Sequence, residues 1–262
     1  MKKIAYLFTA LCLSGFILVS CNSAGDKTAA GDTTATEETT MTTAEDTTGW
    51  ETVFNGTDFA GWRGYGRTDI PGAWIIQDGA IHIQGSGAGE AGADNGGDII
   101  LDRKLKNFEM TFEWKVDKGA NSGVFYLGQE IEGDPIWKSS PEYQILDNAN
   151  HPDAKLGKDG NRQSASLYDL IPAVPQNSKP FGEWNTGGIM VYKGTVVHKQ
   201  NGANVVEYHL WTDDWKKMVD ASKFKGWTNF IEAGGPNREG YIGLQDHGDN
   251  VWFRNIKIKV LD

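Results

Sequence analysis

The chain has 262 residues, with 25 Lys and Arg against 35 Asp and Glu, for a net charge of −10. That balance argues against nucleic acid and anionic membrane surfaces as partners and suits a neutral ligand such as a sugar. Its cysteines, Cys12 and Cys21, both lie near the start, so the remainder carries no disulfide or thiol chemistry.

Lys2-Lys3, an apolar run from Ile4 to Val19 and then Leu18-Val19-Ser20-Cys21 read as an export signal, residues 1–20, with a lipobox. The run is short for a membrane span, so cleavage and acylation of Cys21 are expected. Residues 21–49 then form a lipidated tether. Its Thr, Ala, Gly, Asp and Glu include no aromatic residue and bury too little apolar surface to offset ordering entropy. An exported lipoprotein of the periplasm or outer membrane follows, touching the membrane only through its N-terminal lipid.

Residues 50–262 read as one all-β domain. Phe108 to Val116 alternates strictly, as a half-buried antiparallel strand does. Ile189 to Tyr192, the turn Lys193-Gly194 and Thr195 to His198 form a hairpin, and Asn201-Gly202 turns into Val205 to Leu210. Asp213 to Phe224 is the one short helix, with Thr212 or Asp213 as cap and Trp215, Met218, Val219 and Phe224 on one face. Near the end, Tyr241-Ile242-Gly243-Leu244 and Val251 to Ile256 read as a second hairpin, turned at Gly248-Asp249-Asn250. Many strands without βαβ alternation indicate a two-sheet antiparallel sandwich.

Several polar side chains have the inventory of a sugar site. Glu142 and Gln144 alternate with Tyr143 and Ile145, so both point to one face; on a solvated strand they would be ordinary surface residues. Asp147 has the opposite parity at the strand's end. Gln245, Asp246 and His247 end the Tyr241 strand, and the expected hairpin carries Arg254 back past them. His247 has the best local context of the five histidines for acid or base work; the competing reading is a structural turn. His198 is placed at the groove rim, Asn121 within reach of a hydroxyl, His151 in a loop, and Trp137 facing sugar. Zinc clusters, phosphate loops, dinucleotide fingerprints and a Gly-x-Ser-x-Gly elbow are all missing from the sequence.

Blocks of the domain resemble, in order, the bacterial 3-keto-disaccharide hydrolase family, whose fold is similar to the concanavalin A-like lectins and glucanases. They include Phe54-Asn55-Gly56-Thr57-Asp58, Asn121-Ser122-Gly123, Pro141-Glu142-Tyr143-Gln144, Ser166-Leu167-Tyr168-Asp169, Phe181-Gly182-Glu183-Trp184 and Gly243-Leu244-Gln245-Asp246-His247-Gly248. The resemblance implies a jelly-roll sandwich and cleavage of glycosides already oxidised at C3, supplied by a sugar 3-dehydrogenase. For that chemistry Glu142 and His247 are assigned as base and acid, in either order, with Arg254 and Gln144 holding the enediolate or hydroxyls. Asp147, Asn121, Tyr168, His198, Gln245 and Asp246 complete the substrate-binding set. A divalent cation (Ca²⁺, Mg²⁺ or Mn²⁺) on Glu142, Asp147 and Asp246 is the alternative stabiliser. Glu109-x-Thr111-x-Glu113 lacks the carboxylate spacing of the related glucanases. The non-enzymatic alternative is a carbohydrate-binding surface lipoprotein.

Overall fold

Phe108–Val116 buries Phe108, Met110, Phe112, Trp114 and Val116 and leaves the intervening residues half-buried, as its alternation dictates. The computed structural model describes residues 49–87 and 92–262. The export signal, Cys21 and the tether lie outside the described residues.

The first seven strands are β1 (Trp50–Thr52), β2 (Trp62–Gly64), β3 (Trp74–Gln77), β4 (Ala80–Ile83), β5 (Ile99–Leu101), β6 (Phe108–Val116) and β7 (Asn121–Gly128). Then follow β8 (Glu142–Leu146), β9 (Asn185–Tyr192), β10 (Thr195–Gln200), β11 (Ala203–His209), β12 (Tyr241–Leu244) and β13 (Val251–Val260). All named pairings are antiparallel. An eight-stranded sheet runs β11-β10-β9-β6-β13-β4-β3, with β1 also on β13, and a five-stranded sheet runs β2-β5-β12-β7-β8. One apolar core draws on both sheets, including Met110, Trp114 and Phe253 from the first and Val124, Tyr126 and Tyr143 from the second.

Local turn chemistry behaves as expected. Lys193-Gly194 and Asn201-Gly202 all have positive φ, the backbone of a type I′ turn whose twist matches the flanking strands. Helix α1 (Asp213–Asp220) is capped by the Thr212 side chain, which accepts a hydrogen bond from the Trp215 amide. It stops before Phe224, and the structure adds a one-turn helix, α2 (Thr228–Ile231). Trp215 Nε1 ties the two together by donating to the Ile231 carbonyl at 2.9 Å.

The expected C-terminal hairpin does not form. β12 pairs with β5 and β7, whereas β13 pairs with β6, β4 and β1, so the chain crosses from one sheet to the other. Residues 245–250 are pinned along this crossing. The Gln245 amide donates to the Gly123 carbonyl, and Asp249 accepts from the Asn121 amide at 3.0 Å. β12 has only four residues, so pairing with it would leave most of the ten-residue β13 ladder unmet, whereas β6, β4 and β1 satisfy it.

Candidate active site

On the five-stranded sheet, Tyr143 and Ile145 enter the core, so Glu142 and Gln144 occupy the opposite face. There a pocket of about 380 Å³ opens, lined by side chains from β7, β8, the segment after β12 and the residue just ahead of β5. Its far wall comes from the 3₁₀ turn Ile136–Lys138 and the stretch from Lys223 to α2.

Glu142 is 8% exposed and lies against Gly123 of β7. A methyl group on Gly123 would overlap its carboxyl, so this glycine leaves room for the side chain. Burial pushes the Glu142 pKa from the usual 4.5 up to about 8; the Lys223 charge opposes the rise and Asp98 adds to it. Lys223 donates to the Tyr168 hydroxyl at 3.0 Å, with its ammonium 4.1 Å above that ring, and Tyr168 donates to Asp153 at 3.0 Å. Desolvation lowers the Lys223 pKa.

A chain of three side chains crosses the floor. Gln144 Nε2 donates to Asn121 Oδ1 at 3.0 Å, which leaves Asn121 Nδ2 to donate to His247 Nε2 at 3.2 Å. The neutral imidazole therefore carries its proton on Nδ1. Gln144 Oε1, Gln245 Oε1 and His247 Nδ1 are buried and have no partner among the described residues. Each belongs to a residue lining this pocket. Unmet buried polar atoms cost about 1–3 kcal/mol apiece, so three together leave the pocket floor with unused hydrogen-bonding capacity.

The far wall is aromatic. Phe224 and Phe230 stack at 4.4 Å, and Trp137, 40% exposed at the rim, sits 5.4 Å from Trp227. A polar floor facing an aromatic wall suits a pyranose, which has hydroxyls at its edge and an apolar face.

The sequence model of the 3-keto-alpha-glucoside-1,2-lyase-like domain matches residues 49–259. The chain belongs to this family. A Bacteroides thetaiotaomicron protein named 3-keto-disaccharide hydrolase is 53% identical over 291 aligned residues, covering 100% of both chains. Two Parabacteroides distasonis proteins provisionally assigned as glycosyl hydrolases share the sandwich at 28% identity. One has a TM-score of 0.70 over 82% of this chain and 94% of its own, the other 0.61 over 81% and 99%.

Within this lyase-like domain, the structure gathers Glu142, Gln144, Asn121, Tyr168, Gln245, Asp246 and His247 in one pocket. Three expected members are elsewhere. Arg254 sits on the other sheet, opposite Glu113 in register; it donates to that carboxylate at 2.7 Å and lies 3.9 Å over Trp184. It left the site when β12 and β13 parted. His198 has the inward parity of Val196 and is fully buried, not at a rim. Its ring bonds the Tyr126 hydroxyl at 2.8 Å and the Ala165 carbonyl at 2.9 Å, and burial pushes its pKa down to about 4. Asp147 closes the turn after β8, accepting from the Gly119 and Ala149 amides and Asn150 Nδ2.

Asp246 lines the pocket, yet its carboxylate is taken up by the Ala93, Gly97 and Gly248 amides. With Asp147 and Asp246 committed to separate turns, the ligand set imagined for a divalent cation does not converge. Among the described residues no three His, Cys, Asp or Glu side chains are grouped to hold a metal ion. His151 is the loop residue expected; its Nδ1 accepts from the Asp153 amide, and its ring meets His247 edge-on at 6.3 Å.

Asp98, Lys223 and Trp227 line the pocket without having been singled out from the sequence. Asp98 follows Gly96-Gly97 and the other two lie between short helices, so no periodicity marked them. Only the fold brings them in.

Proposed function

We propose that the protein cleaves 3-keto-disaccharides and related 3-keto-glycosides by elimination and hydration. The observation that carries this reading is the buried Glu142 carboxyl sharing one pocket with a histidine whose proton is held on Nδ1. The ketone acidifies the proton on C2. Glu142 removes it, and the electron pair of that C–H bond becomes an enediolate across C2 and C3. Collapse of the enediolate restores the C3 ketone, forms a C1–C2 double bond and breaks the bond from C1 to the glycosidic oxygen. His247 Nδ1–H gives its proton to that oxygen. Water then adds, its hydroxyl bonding to C1 while its proton passes to His247, and C2 takes a proton from the Glu142 carboxyl after that carboxyl has exchanged with solvent. The sum is one water consumed and one glycosidic bond broken.

The residues suit these roles. A carboxylate whose pKa is raised is a stronger base than an ordinary glutamate. Gln144 Oε1 and Gln245 Oε1 accept sugar hydroxyls, and Lys223 supplies the positive charge that Arg254 does not. The substrate must come from a reaction that oxidises C3 of the glycoside. In this reading the enzyme works at the cell envelope, which the apolar run ending at Cys21 supports.

The test is to incubate the protein in D₂O with a 3-keto-disaccharide and with its unoxidised parent. Cleavage of the ketone alone, with deuterium at C2 of the product, is expected. Equal cleavage of both, or tight binding of both without turnover, would sink the proposal; the latter outcome describes a lectin.

The pH profile offers a further check. Because Glu142 acts ionised, kcat/KM should rise with pH well above the usual 4.5 of a glutamate. The Lys223 charge lowers that pKa, so in Lys223→Met the acidic limb should move to higher pH. An unmoved limb would contradict Glu142 as the base.

A further inference from the structure

Elimination through an enediolate needs a hydrogen-bond donor at the C3 oxygen, where negative charge develops. Gln144 and Gln245 offer acceptor oxygens to the pocket, the His247 proton is committed to the leaving oxygen, and Lys223, which supplies positive charge, is held against the Tyr168 hydroxyl. One further carboxyl lines the same pocket, from a position that neither the strand pattern nor the relatives' names pick out: Asp98, just ahead of β5.

Its placement is built, not incidental. Asp98 Oδ1 accepts from the Asp246 amide at 2.9 Å, while Oδ2 has no partner among the described residues. The Asp246 carboxylate in turn accepts from the Ala93 and Gly97 amides, at 3.0 and 2.7 Å. Gly96 has no room for a side chain, because a Cβ there would overlap Asp246. Asp246 thus folds residues 93–97 around itself and sets Asp98 at the pocket edge. Its own charge stays satisfied by amides.

We propose that Asp98 is a catalytic residue whose carboxylic acid donates a hydrogen bond to the C3 oxygen of the substrate as the enediolate forms. This rests on the elimination reading above. A neutral carboxyl in an enclosed site is a strong donor, and a donor aimed at developing charge stabilises the transition state more than the ground state. The surroundings favour the neutral form: burial, with the nearby Asp246 charge adding to it, pushes the Asp98 pKa up to about 7, although the Asp246 amide opposes the rise. The Asp98 charge also raises the Glu142 pKa, so the two titrations are linked. The productive form holds one proton, on Asp98, with Glu142 ionised; with Glu142 at about 8 and Asp98 at about 7 it is the minor of the two singly protonated arrangements.

The test compares Asp98→Asn and Asp98→Ala with the unaltered protein on a 3-keto-disaccharide, recording kcat and KM against pH and melting temperature alongside. Asparagine keeps an acceptor for the Asp246 amide and a donor for the substrate but cannot titrate. It should lose about tenfold in kcat and abolish the alkaline limb of the profile, whereas alanine should lose about 10²–10³-fold in kcat, with KM little changed. Equal losses in both variants would overturn donation and leave Asp98 a support for the Asp246 turn. Full kcat in both would remove Asp98 from the chemistry. If the unaltered protein failed to cleave the ketone at all, the elimination reading itself would fall, a result separate from either outcome.

Discussion

Glu142→Gln should lose activity and gain stability at alkaline pH. Removing the base from a proton-abstraction step costs about 10²–10⁴-fold in kcat, and glutamine fits the same space against Gly123. The stability gain follows from the pKa. In the fold Glu142 holds its proton up to about 8, whereas in the unfolded chain it releases it near 4.5. Between those values the native state binds more protons than the unfolded state, so native stability falls as pH rises and levels off above about 8. Each tenfold in proton affinity is worth about 1.4 kcal/mol, so the penalty at alkaline pH is on the order of a few kcal/mol. Glutamine has no charge to bury and avoids it. The variant should therefore melt several degrees above the unaltered protein at pH 9 and at the same temperature at pH 4. Equal melting temperatures at pH 9 would mean that the carboxyl is not kept protonated by burial. A variant with normal turnover would remove it as the base.

The second large effect concerns which imidazole nitrogen carries the proton. His247→Ala should cost about 10²-fold or more in kcat through loss of the general acid. Asn121→Asp is the sharper test. The aspartate still accepts from Gln144, but it presents His247 Nε2 with an acceptor where Asn121 presents a donor. In the neutral ring the proton then moves to Nε2, and Nδ1 faces the pocket as a bare lone pair. Turnover should fall nearly as far as in His247→Ala, although the ring remains in place. Loss should be smaller for a 3-keto-glycoside with a nitrophenolate leaving group, which needs no proton. Nitrogen-15 shifts of the ring would report the tautomer directly. Full activity in Asn121→Asp would show that Asn121 does not set the donor.

Gly123 illustrates how the two levels of the molecule meet. In sequence it is one glycine in Asn121-Ser122-Gly123, most simply a turn entering a strand. In the structure it lies within β7, opposite Gln144, and its missing side chain is the space that Glu142 fills.

What the sequence determined by itself is whatever depends on a residue and its near neighbours. The alternation from Phe108 to Val116 can satisfy only a strand with one core face. Lys193-Gly194 and Asn201-Gly202 tolerate positive φ and therefore turn hairpins, and Thr212 can reach the Trp215 amide because three residues separate them on a helix. The common face of Glu142 and Gln144 follows from strand geometry alone. Only the tertiary structure decided which strands are neighbours. A strand's ladder accepts many partners, and the choice is made by how two sheets close over one core, with partners more than a hundred residues apart. That choice sent β12 and β13 to different sheets, gave Arg254 to Glu113 and drew His198 inward. It also brought Asp98, Lys223 and Trp227 to a pocket that none of their sequence neighbours foretells.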